Sequence, residues 1–500
     1  MNKTYGLLLG LTVLLAFILR IYKFTVNPPS LYWDEASIAY NAYSLLQTGK
    51  DEWGIAYPLT IKSFGDFKLP LYVYAVAVSE KVFGLKDFAV RFPSVLAGTA
   101  TVALIFYLVR QLFPYRAKLA LLSALFLAVS PWHIQFSRAG FEANLALFFL
   151  SMGILFFLLA VRENINYLFA SAFSLVLCFY TYLSPAVTIP LVFLGLSMAY
   201  ARKLLAAWKT VLVAILLAGI LLWPYLQTYV FSPEGGSRFR AESVQQEPGD
   251  LLTNVVNNYV ANFSSDYLFF KGDQEGRHSV KKIGELYIWQ LPAVLAGAYL
   301  IFRRRGRGGL ILILLILSAA LPVALTRVSP HALRGLDSVI GWQILSAIGM
   351  VFLLSKFPLV SRPVFMVLFV FAFLVYLHIY FIHYPKAYAP DWQDGSKQLV
   401  SYLKRVQGNY GQIFITQDLN PVYLALYLPY DPLALQRSGH NLTRFLDKYY
   451  IVDFKTEPTR PRPLEKSLAI TPSWMGIATK KELAPIRMVN GDIAFRVYEY

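Results

Sequence analysis

Apolar runs of bilayer length dominate this 500-residue sequence. A helix needs about 20 consecutive, mostly apolar residues to cross the hydrocarbon core of a membrane. Hydrophobic residues make up 57% of the chain and charged residues only 15%, a balance that suits a lipid solvent. We therefore predict an α-helical polytopic membrane protein with about eleven transmembrane helices, counted by the length that spans a bilayer. The predicted crossings are residues 5–22, 88–112, 117–133, 141–161, 167–182, 185–200, 208–228, 286–302, 308–326, 335–355 and 363–383.

Lysine and arginine residues are concentrated in alternate loops between these runs. With the N-terminus in the cytoplasm, the inner loops contain most of these cations, as the positive-inside rule requires. We therefore predict an N-in, C-out topology, with the first run as a retained signal anchor. The net charge of +17 is explained by these loops, so we expect no nucleic-acid partner. The inner-loop cations are Arg110, Arg116, Lys118, Arg162, Arg202, Lys203, Lys209, Arg303, Arg304, Arg305, Arg307, Lys356 and Arg362, and the short outer loops contain Arg138, Arg327 and Arg334.

Three segments are too polar to cross a bilayer, and the topology places all of them outside. Residues 23–87 and 229–285 are outer loops of a transmembrane domain that we predict to span residues 1–383. The second loop contains "SPEGGSRFRAESVQQEPGDLL", whose glycine and proline content predicts a mobile segment. Residues 384–500 combine strand-like stretches such as "GQIFITQ" and "KYYIVDF" with helix-like ones such as "NPVYLALYL". This pattern predicts a small extracytoplasmic α/β domain.

Two adjacent carboxylates, Asp34 and Glu35, lie among aromatic residues in "SLYWDEASIAYNAYSLLQTG". A charge close to hydrocarbon costs free energy, so it needs water, a partner or a function. The following residues have helical spacing up to Gly49, which predicts an amphipathic helix on the membrane surface. In one interpretation Asp34 is the N-cap of this helix and Glu35 stabilises its first turn. In the other, one carboxylate faces a cleft and accepts a proton from a nucleophile.

Four stretches of the N-terminal half follow one another in a recognisable order: "WDEASIAYNAYSLLQTGKDEWG", "SFGDFKLPLYVY", "FGLKDFAVRFPSVLAGTATVALIFYLVRQLF" and "SPWHIQFSRAGFEANLALFF". In order and spacing they resemble the C-type polytopic glycosyltransferases, in the group of protein O-mannosyltransferases and aminoarabinose transferases, and bacterial relatives most of all. The resemblance covers residues 1–200. It implies an enzyme that transfers a sugar from a polyprenyl-phosphate donor to an acceptor on the outer face of the cell membrane.

The resemblance also implies site residues. The acidic motif that supplies the family's catalytic carboxylate in the first outer loop corresponds to Asp34, with Glu35 beside it. An acidic position in the second outer loop corresponds to Glu142, which follows Arg138 and replaces the family's usual aspartate. The family's Lys/His-Pro-Pro-Leu element corresponds to "KLPL", which begins at Lys68 and has leucine where the first proline is usual.

Inverting transfer from a polyprenyl phosphate needs one base for the acceptor and cations around the departing phosphate. We assign the role of base to Asp34. Arginine binds phosphate in a bidentate manner and lysine supplies a point charge. The residues that we predict to bind the donor phosphate are Lys68, Arg138, Arg327, His331 and Arg334.

These assignments have alternatives. Arg138 and Arg334 are also suited to snorkel to lipid headgroups, and His331 to serve as an ordinary hydrogen-bonded loop residue. We expect no cofactor to be required. A divalent cation held by Asp34 with Asp66 or the pair Asp51 and Glu52 is a further option, although acidic residues of outer loops are most often only solvated.

Two other functional classes remain open. A transporter or lipid flippase needs ionisable residues near the middle of its helices, whereas stretches such as "GLLLGLTVLLAFI" contain none. A catalytically inactive scaffold would not need Asp34, Lys68 and Arg138 together. A membrane glycosyltransferase is therefore the leading hypothesis. Its sugar, a hexose or an amino sugar, and its acceptor, a protein, lipid or glycan, depend on pocket shape and have no readable motif.

Overall fold

Two compact units are formed from interleaved parts of the chain. The first comprises residues 1–22, 69–72 and 91–379, and the second residues 23–68, 73–90 and 380–500. The sequence predicted that residues 384–500 form a domain of their own; here they share one unit with most of the first outer loop. The computed structural model describes residues 3–63, 66–114, 116–232, 240, 242–439, 444–445, 448–454, 466–477 and 480–499.

Helices account for most of the described chain. In chain order they are α1 (Lys3–Ile21), α2 (Trp33–Thr48), α3 (Pro70–Phe83), α4 (Asp87–Leu112), α5 (Ala117–Val129), α6 (Pro131–Arg138), α7 (Glu142–Arg162), α8 (Tyr167–Phe179), α9 (Pro185–Ala199), α10 (Ala201–Ala206), α11 (Trp208–Tyr225), α12 (Leu251–Ala261), α13 (Gln290–Arg304), α14 (Arg307–Ala319), α15 (Leu321–Ala324), α16 (Val339–Lys356), α17 (Pro358–His378), α18 (Tyr384–Ala387), α19 (Ser396–Val406), α20 (Val422–Tyr427) and α21 (Pro432–Arg437). Short π-helical or 3-10 segments lie at Leu226–Val230, Val244–Gln246, Asp266–Phe270, Leu336–Ser338, Ile379–His383 and Gln407–Asn409.

Every predicted crossing coincides with a helix. Among the described residues, seven helical segments are long and apolar enough to span a membrane. The pair α5 and α6 makes an eighth if it is counted as one span bent by 56°. The other three predicted crossings correspond to the shorter helices α8, α9 and α13. A multi-pass membrane protein is thus confirmed, whereas the count of about eleven spans and the N-in orientation remain predictions.

Helices α5 and α6 meet at a bend at Ser130 and Pro131, and the buried residues Arg20 and Arg138 form hydrogen bonds near it. Pro131 cannot donate a backbone hydrogen bond, and Ser130 caps the new helix by accepting the N–H of His133 at 3.3 Å. Arg20 of α1 donates to the Ala128 carbonyl at the end of α5 at 3.1 Å. Arg138 in turn donates to carbonyls at the end of α1. The unpaired carbonyls of one helix C-terminus thus become the partners of a buried cation.

Helices α13 and α16 approach closely through glycine. A Cβ atom on Gly349 would overlap the carbonyl oxygen of Ala293, and one on Gly297 would overlap that of Leu345. Small residues at such a crossing let two helix backbones come together, which is how helices associate in a lipid solvent.

The second unit contains the described sheet of the C-terminal segment. A separate hairpin joins β1 (Ile61–Ser63) to β2 (Asp66–Lys68). The strands of the sheet are β3 (Gln412–Thr416), β4 (Arg444–Phe445), β5 (Tyr449–Val452), β6 (Ser467–Pro472), β7 (Lys481–Arg487) and β8 (Ile493–Glu499). They follow the order β4-β5-β3-β6-β8-β7. The central strand β3 pairs in parallel with β5 and β6, and the other pairs are antiparallel. The predicted mixture of helices and strands in the C-terminal segment is confirmed.

Glu80 of α3 is a buried carboxyl group without a hydrogen-bond partner among the described residues. Burial raises its pKa to about 9. The folded state therefore favours the protonated, neutral carboxyl group. The stability that goes with this neutral form is fully present below pH 4.5, the ordinary pKa, and is lost as the pH rises towards 9.

We predict that Glu80→Gln raises the thermal unfolding midpoint at pH 8 more than at pH 5. The free-energy cost of ionising the buried carboxyl group, which glutamine removes, grows by about 1.4 kcal/mol per pH unit between pH 5 and pH 8. The measurement is thermal unfolding in detergent at both pH values, with the exposed Glu163→Gln as the matched control. An equal shift at both pH values would contradict a pKa raised by burial.

Candidate active site

Helix α2 presents Asp34 in its first turn. Tyr32, with an extended backbone, occupies the N-cap, and Glu35 Oε2 accepts the backbone N–H of Tyr32 at 3.0 Å. The helix ends where Gly49 adopts a left-handed conformation at φ 70°. The predicted helix is therefore confirmed, but the interpretation of Asp34 as its N-cap is wrong. Glu35 provides the capping hydrogen bond, which leaves the Asp34 carboxylate available for another partner.

That partner is Lys68. Its Nζ lies 2.5 Å from Asp34 Oδ1. The Lys68 side chain is only 3% exposed, whereas that of Asp34 is 38% exposed. A buried ammonium needs an anionic partner, and a charge-assisted hydrogen bond favours the ionised carboxylate. The pair therefore presents a carboxylate that is held in place on one side and open to solvent on the other.

The C-terminal segment fixes the start of α2. Gln393 Oε1 accepts the backbone N–H of Trp33 at 3.2 Å. The Tyr423 hydroxyl, on α20, lies 2.7 Å from Gln393 Oε1 and 2.9 Å from the Leu31 carbonyl oxygen. Burial raises the pKa of Tyr423 well above its usual range, so it remains a neutral hydroxyl. Sequence reasoning missed these residues because they are 360 to 392 positions away in the chain from the residues that they contact.

The other acidic residues of the first outer loop have structural partners. Asp51 is buried, and its Oδ1 accepts the backbone N–H groups of Trp53 and Ile55, each at 2.9 Å. Glu52 is also buried, and its own N–H donates to Asn41 Oδ1 at 3.1 Å. The side chain of Asp66 lies outside the described residues. In the part of the chain that the structure describes, no group of three possible metal ligands includes Asp34.

Arg138 and Glu142 lie in the first unit, at the end of α6 and the start of α7. The Arg138 guanidinium is buried and donates to the carbonyls of Leu19 at 2.6 Å and Tyr22 at 2.7 Å. These contacts fix the C-terminus of α1, and a role in phosphate binding remains a prediction. Glu142 is half-buried in the first turn of α7, where the helix dipole favours a negative charge.

Arg327 and Arg334 each form an ion pair with the second outer loop. Arg334 Nη2 contacts Glu242 Oε2 at 2.8 Å, and Arg327 Nε contacts Glu247 Oε1 at 2.8 Å. Arg327 is about half exposed, whereas Arg334 is mostly buried and its Nη1 has no hydrogen-bond partner among the described residues. A buried guanidinium nitrogen without an acceptor is suited to an anionic ligand. Residues 233–239 and 241 of the loop that was predicted to be mobile lie outside the described residues.

His331 belongs to a cluster with the buried residues Asp273 and His278. His278 Nδ1 lies 3.0 Å from Asp273 Oδ2, which also accepts the Ala332 N–H at 2.7 Å. One ligand atom from each of the three side chains lies within 4.8 Å of the others. Sequence reasoning selected His331 but missed its partners, although "KGDQEGRHS" brings an acid and a histidine close together in an outer loop.

Electrostatics suit this cluster to a cation. Burial raises the pKa of Asp273, but the hydrogen bond and charge of His278 and the charge of His331 outweigh it, so that the pKa falls to about 2. Burial and the neighbouring cations lower the pKa of His331 well below its usual value, which keeps a ring nitrogen available as a ligand. Two imidazoles and a carboxylate are a ligand set that zinc accepts. If a divalent cation binds, this cluster fits it better than the surroundings of Asp34.

Comparisons with known proteins agree with these features. Residues 68–226 match the sequence family of dolichyl-phosphate-mannose-protein mannosyltransferases. The segment begins at Lys68, so it does not include Asp34. No protein with a curated description matches the sequence.

The fold resembles solved membrane proteins. ArnT from Cupriavidus metallidurans is similar in the apo state, with a TM-score of 0.61, 13% identity and coverage of 100% of this chain and 98% of that one. Its complex with undecaprenyl phosphate gives a TM-score of 0.60, 12% identity and the same coverage. A third similar structure is the oligosaccharyltransferase AglB from Archaeoglobus fulgidus, in complex with an inhibitory peptide and a dolichol-phosphate. It gives a TM-score of 0.50 and 13% identity, with coverage of 85% of this chain and 63% of that one. Identities this low show the fold alone, and together with the family match they confirm the resemblance inferred from the motifs.

Proposed function

We propose that the chain is a C-type polytopic glycosyltransferase, similar to the protein O-mannosyltransferases and aminoarabinose transferases, and that it transfers a sugar from a polyprenyl-phosphate donor to an acceptor hydroxyl. The reaction takes place on the extracytoplasmic face of the cell membrane and inverts the anomeric carbon. The similar proteins support this donor class, since ArnT was solved with undecaprenyl phosphate and AglB with a dolichol-phosphate.

The contact between Asp34 and Lys68 carries this proposal. The acceptor hydroxyl donates its proton to the Asp34 carboxylate while its oxygen attacks the anomeric carbon. The bond from that carbon to the phosphate oxygen breaks, and the polyprenyl phosphate departs with the electron pair. Lys68 keeps the carboxylate ionised and oriented, and the exposed fraction of Asp34 leaves room for an acceptor. Only one carboxylate is needed, because a phosphate leaves without protonation by an acid.

Cations must stabilise the departing phosphate. Among the predicted residues, Arg334 is the best suited, since its Nη1 is buried and lacks an acceptor among the described residues. Arg327, which is more exposed, contributes a second positive charge to the phosphate site. His331 contributes as a member of the cluster that it forms with Asp273 and His278. Glu35 positions the start of α2. The roles of Glu142 as an acidic site residue and of Arg138 as a phosphate-binding residue remain predictions from the sequence.

We predict that Arg334→Met weakens donor binding by about 10- to 100-fold, because a charge-assisted hydrogen bond to the phosphate is lost. The measurement is the KM for a polyprenyl-phosphate sugar in the purified protein. Lys271→Met removes an exposed outer-loop cation that pairs with Asp266 at 2.5 Å and serves as the control. Equal donor KM values for Arg334→Met and the wild-type protein would show that the phosphate binds elsewhere.

The acceptor and the sugar are tested directly. Purified protein in liposomes is given a panel of labelled polyprenyl-phosphate hexoses and amino sugars, with peptides, lipids or glycans as acceptors. A glycosyltransferase moves the label from the carrier to one acceptor class. A flippase moves the labelled carrier across the bilayer and leaves the sugar attached, and a scaffold does neither.

A further inference from the structure

A large cavity opens among the helix ends of the first unit that the positive-inside rule assigns to the cytoplasmic side. Its volume is about 720 Å³, within the range of roughly 300–1,000 Å³ that is typical of ligand sites. It lies where α4, α7, α13 and α16 end and where α5 and α14 begin. Apolar side chains such as Leu119, Leu300 and Val351 line it, so the cavity offers space for hydrocarbon.

Basic side chains also line this cavity. They come from five different helices or helix ends, so that no single sequence segment supplies them. Among the described residues, no carboxylate lines the cavity. The Arg307 guanidinium lies 5.8 Å from the centre of the Tyr200 ring, which keeps that cation at the wall. The basic lining residues are Arg116, Arg162, Lys203, Arg304 and Arg307.

We propose that this cavity binds an anionic phospholipid. The cations contact the headgroup phosphate, and an acyl chain lies along the apolar wall. Basic pockets between transmembrane helices on the cytoplasmic side are suited to such headgroups. The site does not depend on the proposed catalytic function, because it is formed by residues that have no part in the reaction.

Topology alone accounts for basic residues at these helix ends but not for their arrangement around a cavity. Lys118, Arg202 and Arg303 lie in the same loops and are exposed like the lining cations, yet they do not line the cavity. Surface attraction to an anionic leaflet would involve both sets of cations equally. A lipid bound in the cavity would contact only the cations that line it.

The test is a titration of the detergent-solubilised full-length protein with phosphatidylglycerol, read as the shift of the thermal unfolding midpoint. Phosphatidylcholine and inorganic phosphate are the comparison ligands. We expect only phosphatidylglycerol to raise the midpoint. The triple variant Arg116→Gln, Arg304→Gln and Arg307→Gln is expected to need on the order of 100-fold more lipid for the same shift.

Two further variants keep the test decisive. The triple change Lys118→Gln, Arg202→Gln and Arg303→Gln alters the charge equally and should leave the titration unchanged; an equal loss here would mean surface attraction only. Ile348→Trp fills the cavity without changing charge and should abolish the response even if the first triple variant does not fold. A full response in Ile348→Trp, or an equal response to inorganic phosphate, would overturn the proposal.

Discussion

An Asp34→Asn variant is expected to lose on the order of 10²-fold or more in kcat for sugar transfer. It should also unfold at a lower temperature, because the buried Lys68 ammonium loses its anionic partner. The amide keeps the size of the side chain but cannot accept the proton of the acceptor hydroxyl. The lost stabilisation of the transition state amounts to about 2.7 kcal/mol or more, since each factor of ten is about 1.36 kcal/mol. The KM for the donor should change little, because the carboxylate acts on the acceptor.

The control for this variant must break another carboxylate–lysine ion pair without touching the proposed site. Asp87→Asn does so, because Asp87 Oδ2 lies 2.5 Å from Lys397 Nζ in the same compact unit. Single-turnover kinetics and thermal unfolding should be measured for both variants. If folded Asp34→Asn transfers sugar at a near-normal rate, Asp34 is not the base and the proposed mechanism is wrong.

Replacing Arg138 by methionine is expected to destabilise the first unit by roughly 3 kcal/mol or more. The Arg138 guanidinium donates to the carbonyls of Leu19, Arg20 and Tyr22, and methionine would leave these acceptors at the end of α1, of which the first two are buried, without their donor. A buried acceptor that loses its partner costs about 1–3 kcal/mol. The measurement is the unfolding midpoint in detergent together with the yield of monodisperse protein.

The same variant separates a structural role of Arg138 from a phosphate-binding role. The matched control, Arg303→Met, removes an exposed arginine from a helix end and should not change the unfolding midpoint. A stable Arg138→Met protein with weakened donor binding would contradict the structural role and support the phosphate contact that the sequence predicted.

Much of the candidate site was visible in the sequence because its signals are local. The acidic pair followed by helical spacing and Gly49 predicted α2, and "KLPL" singled out Lys68. The sequence did not show that Lys68 pairs with Asp34, because the two are 34 positions apart and meet only when the β1–β2 hairpin folds back. The sequence also suggested Asp34 as the capping residue of α2, whereas Glu35 makes the capping hydrogen bond.

The sequence by itself determined the membrane class, the positions of the helices that coincide with the predicted crossings and the mixture of helices and strands near the C-terminus. Hydrophobic length and periodicity are properties of single segments, so they can be read without a fold. Only the tertiary structure decided that Tyr423 and Gln393 hold the start of α2, that Arg138 caps α1, and that His331 joins Asp273 and His278. Each of these contacts joins residues far apart in the chain, and their side chains meet through packing that no local pattern encodes.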